Sequence, residues 1–350
     1  MAAGPEKKRL APRRVVEHND EEWVQFEEVS RLEPILTQPP RRLLAAVIAL
    51  LLLTVGGFLV TRQPGVQFEV GTMFYEGRHL GKDREAAARW LRAAADQGHP
   101  QAQFYMGYMH DVGDAVPQDA SAALKWYTLA AQQGNAEAQF NLGFMYDQGL
   151  GVAEDDAEAA RWYRKVAEAG DAQAQLKLAE MYAFGRGIPL DLSEARQWYG
   201  RAAAQGLADA QYGLGAMFWQ GRGVVQDFEE ARRWFKQAAE QGHSGAQSAL
   251  GEMSLAGHGQ PASSRTALAW FTLAADQGHP TAQARLGDMY HQGQGVTRDP
   301  VTACMWYTLA VAQQEPGVAV TLARLQRKLS PAQRAQAARL ATEKQAALIR

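Results

Sequence analysis

The sequence predicts an all-α protein, an α/α solenoid of seven helix-turn-helix repeats that are each 36 residues long. Three features in one register predict it: a tryptophan every 36 residues, an alanine three residues before each tryptophan, and two recurring glycines. No insertion breaks this register from about Val66 to about Gly317, and a constant period of this kind is the signature of stacked repeats. The tryptophans, which we expect to form the structural core, are Trp90, Trp126, Trp162, Trp198, Trp234, Trp270 and Trp306.

The first helix of each repeat is predicted by the spacing of its apolar residues. In the repeat that begins near Ala102, the side chains of Phe104, Met106 and Met109 follow helical rather than alternating spacing. This helix should end at Gly113, because glycine readily adopts the left-handed conformation that closes a helix.

The second helix is predicted by a recurring N-cap residue, which stands four residues before the recurring alanine. Its copies are Asp83, Asp119, Asp155, Asp191, Asp227, Ser263 and Asp299. In three repeats a glutamate follows three residues later, at Glu158, Glu194 and Glu230, and this spacing resembles a capping box. Each second helix should end near a glycine such as Gly134.

Small residues on one side of each helix predict close packing. Gly107 and its copies keep the first helix thin, Ala123 and its copies do the same for the second, and we expect the tryptophan to fill the space beside them. A single hairpin of this kind cannot bury its own apolar surface, whereas stacked copies can. Residues 66–317 are therefore expected to fold as one repeat solenoid.

The C-terminal residues 318–350 depart from the repeat and are predicted to form capping helices. Ser330, Pro331 and Gln333 have the pattern of an N-cap, a first helical residue and a capping partner. A solenoid needs a terminal helix with a polar outer face, so this segment is expected to close the array.

Residues 43–61 are predicted to form a transmembrane helix. The stretch from Leu43 to Val60 contains eighteen residues without a charge, and arginines flank it on both sides. This length fits the hydrocarbon thickness of a bilayer. The alternatives fit less well, because a core helix is rarely apolar on all faces and a signal peptide has a much shorter polar lead.

The distribution of basic residues predicts the orientation of this helix. Such residues tend to remain in the cytoplasm beside a first transmembrane helix, and more of them precede residues 43–61 than follow it. We expect the N-terminus inside the cytoplasmic (inner) membrane and the solenoid in the periplasm; a cytoplasmic solenoid is the alternative. Residues 1–42 would form a largely disordered cytoplasmic tail. Its apolar residues from Trp23 to Leu32 are spaced by three, so this stretch could be a short helix that docks into a partner groove or a disordered spacer.

The repeat resembles a known family. Its pattern of A-Q-x-x-L-G-x-M-Y, a glycine-rich loop and A-x-x-W-Y-x-x-A-A-x-Q-G is similar to the Sel1-like repeat, a relative of the tetratricopeptide repeat, and residues 138–170 match it best. The resemblance implies an α/α solenoid and an adaptor or scaffold that organises other proteins. The chain is also similar to membrane-anchored bacterial members that act outside the cytoplasm, some of them in envelope assembly.

Composition and motifs argue against several other functions. The formal charge of -2 gives no electrostatic footprint for nucleic acid. Five loops read G-x-G, but these glycines follow helix C-termini, where the dipole disfavours phosphate. The eight histidines lack metal-ligand spacing, and the single Cys304 can form neither an internal disulfide nor a cysteine-based zinc site. We therefore expect no catalytic, cofactor or metal site, no nucleic-acid partner and no small-molecule substrate.

Candidate partner-binding residues are those that vary while the repeat frame stays constant. Two positions on the first helix, three residues apart and hence on one face, differ from repeat to repeat. In the solenoids that this chain resembles, that face tends to line a groove, where aromatic residues would anchor a partner; an ordinary solvated face is the alternative. The predicted residues are Tyr105, Tyr108, Asn141, Phe144, Lys177 and Glu180, together with Trp219, which the repeat frame does not require.

Together these features predict a membrane-anchored scaffold. It would bind protein or peptide partners through the solenoid surface, contact the lipid bilayer through residues 43–61, and help to organise the cell envelope. The alternative is an enzyme or regulator that acts on cell-wall material or β-lactams, for which the sequence shows no cluster of convergent polar groups.

Overall fold

The computed structural model describes residues 62–78 and 81–348, and this part of the chain contains sixteen α-helices and no strand. Fourteen helices pair into seven hairpins, which confirms the predicted all-α solenoid of seven repeats. The first helices of repeats 1 to 7 are α1 (Pro64–Glu76), α3 (Pro100–Val112), α5 (Ala136–Gln148), α7 (Ala172–Phe184), α9 (Ala208–Gln220), α11 (Ser244–Ala256) and α13 (Pro280–Gln292). The second helices are α2 (Arg84–Asp96), α4 (Ala120–Gln132), α6 (Asp156–Glu168), α8 (Leu192–Ala204), α10 (Phe228–Glu240), α12 (Ser264–Ala275) and α14 (Pro300–Ala312), and the chain continues with α15 (Val318–Lys328) and α16 (Pro331–Leu348).

Contacts divide the chain into two compact units, Met1–Ala169 and Gly170–Arg350. The N-terminal unit contains the described helices α1 to α6, and the C-terminal unit contains α7 to α16. Within each unit, a first helix packs against the second helix of its own repeat, and that second helix packs against the first helix of the next repeat.

The predicted N-caps of the second helices are confirmed in all seven repeats. In each of them the capping side chain accepts a backbone N–H of the first helical turn. Asp119, for example, accepts the N–H of Ala122 at 3.0 Å. A side-chain acceptor at this position satisfies a donor that the helix itself leaves unpaired.

The predicted capping boxes lack their reciprocal half. The backbone N–H of each N-cap residue already donates to a carbonyl of the first helix, as Asp155 does to Tyr146 at 3.0 Å. That donor is therefore not available to the glutamate side chain. The glutamate carboxylates bond within their own helices instead, Glu158 with Arg161, Glu194 with Trp198 and Glu230 with Arg233.

In each repeat the residue that follows the tryptophan packs in the core, which corrects the predicted core. These residues are Leu91, Tyr127, Tyr163, Tyr199, Phe235, Phe271 and Tyr307, and all of them are buried. Of the tryptophans only Trp198 and Trp306 are buried, whereas Trp90, Trp126, Trp162, Trp234 and Trp270 are half-buried.

The helical period explains this correction. Ala123, Tyr127 and Ala130 follow one another at intervals of four and three residues, so they share the buried face of α4. Trp126 is rotated from Tyr127 by roughly 100° and lies at the edge of that face. The guanidinium of Arg92 lies 5.0 Å from the centre of its ring, so a charged side chain covers the tryptophan where the core does not.

Glycines in the first helix let these buried rings approach its backbone, as predicted from their small size. A Cβ atom at Gly107 would lie 2.6 Å from the Tyr127 ring, and one at Gly251 would lie 2.5 Å from the Phe271 ring. These distances are shorter than van der Waals contact, so the close approach requires glycine at both positions.

Glutamines link the ends of the helices within and between repeats. In six repeats, the C-cap glutamine of the second helix donates to a glutamine of the first helix, as Gln97 does to Gln67 at 2.6 Å. In repeats 2, 3, 5, 6 and 7 the first-helix glutamine also donates to the preceding second helix, as Gln103 does to the Ala95 carbonyl at 3.2 Å. Buried polar groups that are satisfied in this way specify one arrangement of the helices. Repeat 3 lacks the glutamine pair, because Ala169 stands at its C-cap.

The G-x-G loops have a structural explanation. Gly221 closes α9 with a φ of 67°, and Gly223 has a φ of 70°. A Cβ atom at Gly223 would lie 2.5 Å from the Cβ atom of Leu192, at the start of the preceding second helix. The second glycine is therefore required for packing between neighbouring repeats.

Helices α15 and α16 follow the last repeat. Ala337 and Ala341 of α16 are buried against the cores formed by α13 and α14. The capping box predicted at Ser330 is confirmed, since its N–H donates to Gln333 Oε1 at 3.0 Å and the N–H of Gln333 donates to Ser330 Oγ at 3.2 Å.

The predicted tail, residues 1–42, and the predicted transmembrane segment, residues 43–61, lie outside the described residues. Among the helices within 62–78 and 81–348, none combines the length and apolar character that a membrane span requires. Membrane anchoring and topology therefore stay predictions from the sequence.

Candidate partner-binding surface

The two variable positions of the first helix lie mostly on its accessible side. Variable position 1 holds Glu69, Tyr105, Asn141, Lys177, Gly213, Ala249 and Arg285, and variable position 2 holds Thr72, Tyr108, Phe144, Glu180, Ala216, Glu252 and Asp288. Of these fourteen residues, only Thr72, Asn141 and Ala249 are buried. The surface that they form therefore changes in chemistry from repeat to repeat while the helices beneath it keep the same arrangement.

Tyr105 belongs to an aromatic cluster in the N-terminal unit. Its ring centre lies 5.9 Å from Phe68, 5.5 Å from Tyr75 and 5.8 Å from Phe104, each time edge to face. Such edge-to-face pairs are a favoured aromatic geometry. Burial raises the pKa of the Tyr105 hydroxyl. This residue contributes to the packing of repeats 1 and 2 as well as to their surface.

The other predicted residues of this unit differ in accessibility. Tyr108 and Phe144 are half-buried, and Tyr108 packs against the cores of repeats 1 and 2. Asn141 is only 3% exposed, and its side chain lies beside the Tyr127 hydroxyl. Asn141 therefore supports this surface from below, which corrects its predicted role as a partner contact.

The C-terminal unit has a pocket of about 410 Å³ between α7 and α9. Glu180 lies at this pocket, and its carboxylate is 3.2 Å from the ammonium group of Lys177. Tyr199 also lines the pocket, where burial, and then the negative charge of Glu180, raises the pKa of its hydroxyl. The phenol therefore stays protonated and can donate a hydrogen bond at neutral pH.

The pocket exists because repeat 5 has small residues at both variable positions. Gly213 has no side chain and Ala216 has only a methyl group, and both line the pocket beside Met217. The Tyr199 ring packs over Gly213, where a Cβ atom would lie 2.6 Å from a ring carbon. Repeat 4 has Ala179 where the other first helices have glycine.

Charged and aromatic side chains surround this space. Arg222 donates from Nη2 to the Ala183 carbonyl at 2.9 Å, and its guanidinium lies 5.5 Å from the centre of the Phe184 ring. His243 Nε2 lies 3.3 Å from an oxygen of Asp209. The pocket thus combines aromatic surface with groups of both charges, an arrangement that suits an amphipathic ligand.

Trp219, the last predicted residue, lies outside the pocket lining. It is half-buried, and its ring stands edge to face on Phe235 at 5.7 Å. It therefore packs on the core of repeat 5 and keeps part of its ring accessible.

The sequence did not predict the pocket or the roles of Phe184 and Tyr199 in it. A signal was present, because Gly213 and Ala216 make repeat 5 the repeat with the smallest residues at the two variable positions. In the part of the chain that the structure describes, no group of three or more histidine, cysteine, aspartate or glutamate residues could hold a metal ion. Cys304 is buried, and burial raises the pKa of its thiol.

Comparison with known proteins gives one family. The model of the Sel1 repeat matches seven consecutive segments, residues 64–99, 100–135, 136–171, 172–207, 208–243, 244–279 and 280–314. A search of curated proteins gave no match.

Two crystal structures share this fold. A Sel1 repeat protein from Oxalobacter formigenes is 33% identical, with a TM-score of 0.64, over 82% of this chain and 82% of its own. A protective antigen present in uropathogenic Escherichia coli strains, which displays an SLR fold, is 27% identical, with a TM-score of 0.52, over 88% of this chain and 86% of its own. Sel1-repeat solenoids typically serve as scaffolds for protein interaction and are generally not enzymes. Seven matched repeats cover most of the sequence, and the chain therefore belongs to the Sel1 repeat family.

Proposed function

We propose that this chain is a membrane-anchored scaffold that binds partner proteins or peptides through the variable positions of its first helices. One observation carries the proposal: the same repeated frame carries aromatic side chains in repeats 2 and 3, and a charged pair with a pocket in repeats 4 and 5. A frame that is constant beneath a changing surface is typical of repeat proteins that recognise partners. Accessible aromatic rings are effective anchors, because they bury much apolar area at a small cost in side-chain entropy.

The proposed location is the inner membrane, with the N-terminus in the cytoplasm and the repeats in the periplasm. The apolar stretch of residues 43–61 and the excess of basic residues before it support this topology. In that position the scaffold would organise proteins of the cell envelope. Protease treatment of spheroplasts tests the topology, since added protease should digest the repeats; repeats that stay protected until the membrane is lysed would contradict it.

Replacing the two accessible aromatics of the N-terminal unit tests the binding surface. Tyr108→Glu and Phe144→Glu introduce the residue that stands at the same position in repeats 4 and 6, so the frame should tolerate them. Tyr105 is left unchanged, because it packs in the aromatic cluster. We expect in-cell crosslinking with mass spectrometry to recover the main partners at least about tenfold less efficiently with the double variant, as for the loss of interface hot spots.

A control variant separates loss of the surface from a general change in charge. Leu129→Glu places the same residue type on α4, where Leu129 is 43% exposed and away from the variable positions. Its partner list should match that of the wild-type chain. An unchanged list of partners for the double variant would contradict the assignment of this surface as the binding site.

A further inference from the structure

We propose that the pocket between α7 and α9 receives a lysine or arginine side chain of a partner polypeptide. This proposal rests on the scaffold function proposed above and assigns a chemical class of ligand to one part of its surface. Three features support it: the volume of the pocket, its aromatic walls, and the state of the charged groups around it.

The volume and the walls fit a long side chain. A pocket of about 410 Å³ lies within the usual range for ligand sites. Phe184 is 61% exposed despite its size, and Tyr199 and Tyr212 line the same space. Lysine and arginine carry apolar stems that pack on aromatic surface, and their charged heads are attracted to the faces of aromatic rings.

The basic groups at the pocket already bind atoms of the protein. Arg222 donates to the Ala183 carbonyl at 2.9 Å. His243 accepts the N–H of Ala246 at Nδ1, at 3.0 Å, and its Nε2 lies 3.3 Å from Asp209. These contacts orient Arg222 toward the Ala183 carbonyl and the Phe184 ring, and His243 toward Asp209.

Glu180 provides the acceptor for an incoming cation. Its pair with Lys177 joins two side chains that are 37% and 34% exposed, and solvent-exposed pairs of this kind contribute little stability. A second cation can therefore replace Lys177, and a bond from arginine or lysine to a carboxylate inside a pocket is stronger than one at an open surface. The Tyr199 hydroxyl, protonated as described above, can add a hydrogen bond to the partner backbone.

Selection from a random dodecapeptide phage library tests this proposal with the full-length chain in detergent micelles. We expect the enriched peptides to share a lysine or arginine next to apolar residues. Glu180→Gln should weaken their binding by about tenfold or more, as for the loss of a hydrogen bond to a charged group. Ala216→Lys should block them, because it places a tethered cation in the pocket.

Two further variants make the test specific. Lys177→Met should tighten binding severalfold, because it removes the cation that competes for Glu180; an anion site would not respond in this way. Glu240→Gln is the matched control, since Glu240 lies on the second helix α10, away from the variable positions, and is paired with Lys236. It should leave binding unchanged. Circular dichroism of every variant should match that of the wild-type chain.

The outcomes separate this proposal from the scaffold function. Enrichment of acidic peptides, equal binding to Glu180→Gln, or no retained peptide would each overturn the cation pocket. Some peptides could bind the pocket variants as tightly as the wild-type chain but fail to bind the Tyr108 and Phe144 double variant. Such a result would overturn the cation pocket and would support the scaffold function. Loss of cellular partners in that double variant is measured independently of the pocket.

Discussion

Repeats 2 and 5 have the same frame and opposite surfaces. Their buried rings, Tyr127 and Phe235, are both 0% exposed, and each lies against a glycine of its own first helix. At the variable positions, repeat 2 carries Tyr105 and Tyr108, whereas repeat 5 carries Gly213 and Ala216. One repeat therefore presents aromatic side chains and the other a pocket, without a change in helix bounds relative to the repeat.

This difference shows that the frame and the surface are specified by largely separate sets of residues, with Tyr105 and Tyr199 contributing to both. The frame depends on buried rings, thin glycine faces and N-caps. The surface depends on a few positions that the frame leaves accessible. Substitutions in the first set should change stability, and substitutions in the second set should change binding with little effect on stability.

The largest expected effect comes from removing the buried ring of repeat 5. Phe235→Ala should lower the free energy of unfolding by about 3–5 kcal/mol, because it leaves a cavity in a closely packed core. Trp234→Ala removes the larger side chain, but Trp234 is half-buried, so we expect a loss of only about 1–2 kcal/mol. Urea unfolding followed by circular dichroism measures both. Equal midpoints for the two variants would contradict the correction of the core from the tryptophan to the residue after it.

Much of the frame could be predicted from the sequence, because the residues that specify it recur in all seven repeats. The recurring N-caps and closing glycines each satisfy backbone groups within one hairpin, so local chemistry was sufficient to place them. The prediction placed the tryptophan in the core, whereas the structure buries the residue after it more consistently. Register alone cannot tell Trp126 from Tyr127, and their helical phase relative to Ala123 decides which of them faces the core.

The binding surface was harder to predict, for two physical reasons. The accessibility of Asn141 depends on how neighbouring helices cover it, and its position in the repeat does not reveal this. The pocket at Gly213 and Ala216 arises from missing side chains, whereas a search for candidate residues looks for reactive or aromatic groups. Aromatic residues at the surface, such as Tyr108 and Phe144, were found because their chemistry is visible in the sequence itself.

The loops of the two repeats offer the next comparison. Gly223 of repeat 5 and Ala115 of repeat 2 occupy the same loop position, with φ angles of 70° and 59°. Gly223→Ala should destabilise by about 2–3 kcal/mol, since it adds left-handed strain and a Cβ atom 2.5 Å from Leu192. Ala115→Gly should stabilise by about 0.5–1 kcal/mol, because it relieves strain but increases the entropy of the unfolded chain. Thermal unfolding of both variants shows whether each substitution raises or lowers the midpoint. A lower midpoint for both would show that Ala115 is not strained.

The smallest expected effect concerns the start of the first helices. His99 caps repeat 2 by accepting the N–H of Ala102, whereas Leu207 precedes repeat 5 with nearly the same backbone angles and no side-chain cap. Leu207→Asn should stabilise by about 1 kcal/mol, because Asn135 makes this cap in repeat 3. The difference in thermal midpoint between this variant and the wild-type chain measures the stabilisation. An unchanged midpoint would mean that the packing of Leu207 offsets the missing cap.

A histidine at the same position should give a gain that depends on pH. Burial lowers the pKa of His99 in repeat 2, so the folded state favours the neutral ring, whose Nδ1 can accept a hydrogen bond. Stability from such a cap is fully present above the pKa of histidine in the unfolded chain, about 6.5, and is lost as the pH falls below it. We therefore expect Leu207→His to raise the thermal midpoint at pH 7.5 but not at pH 5, whereas Leu207→Asn should raise it at both. A histidine variant whose gain persists at pH 5 would show that its ring stabilises the helix by packing and not as an acceptor.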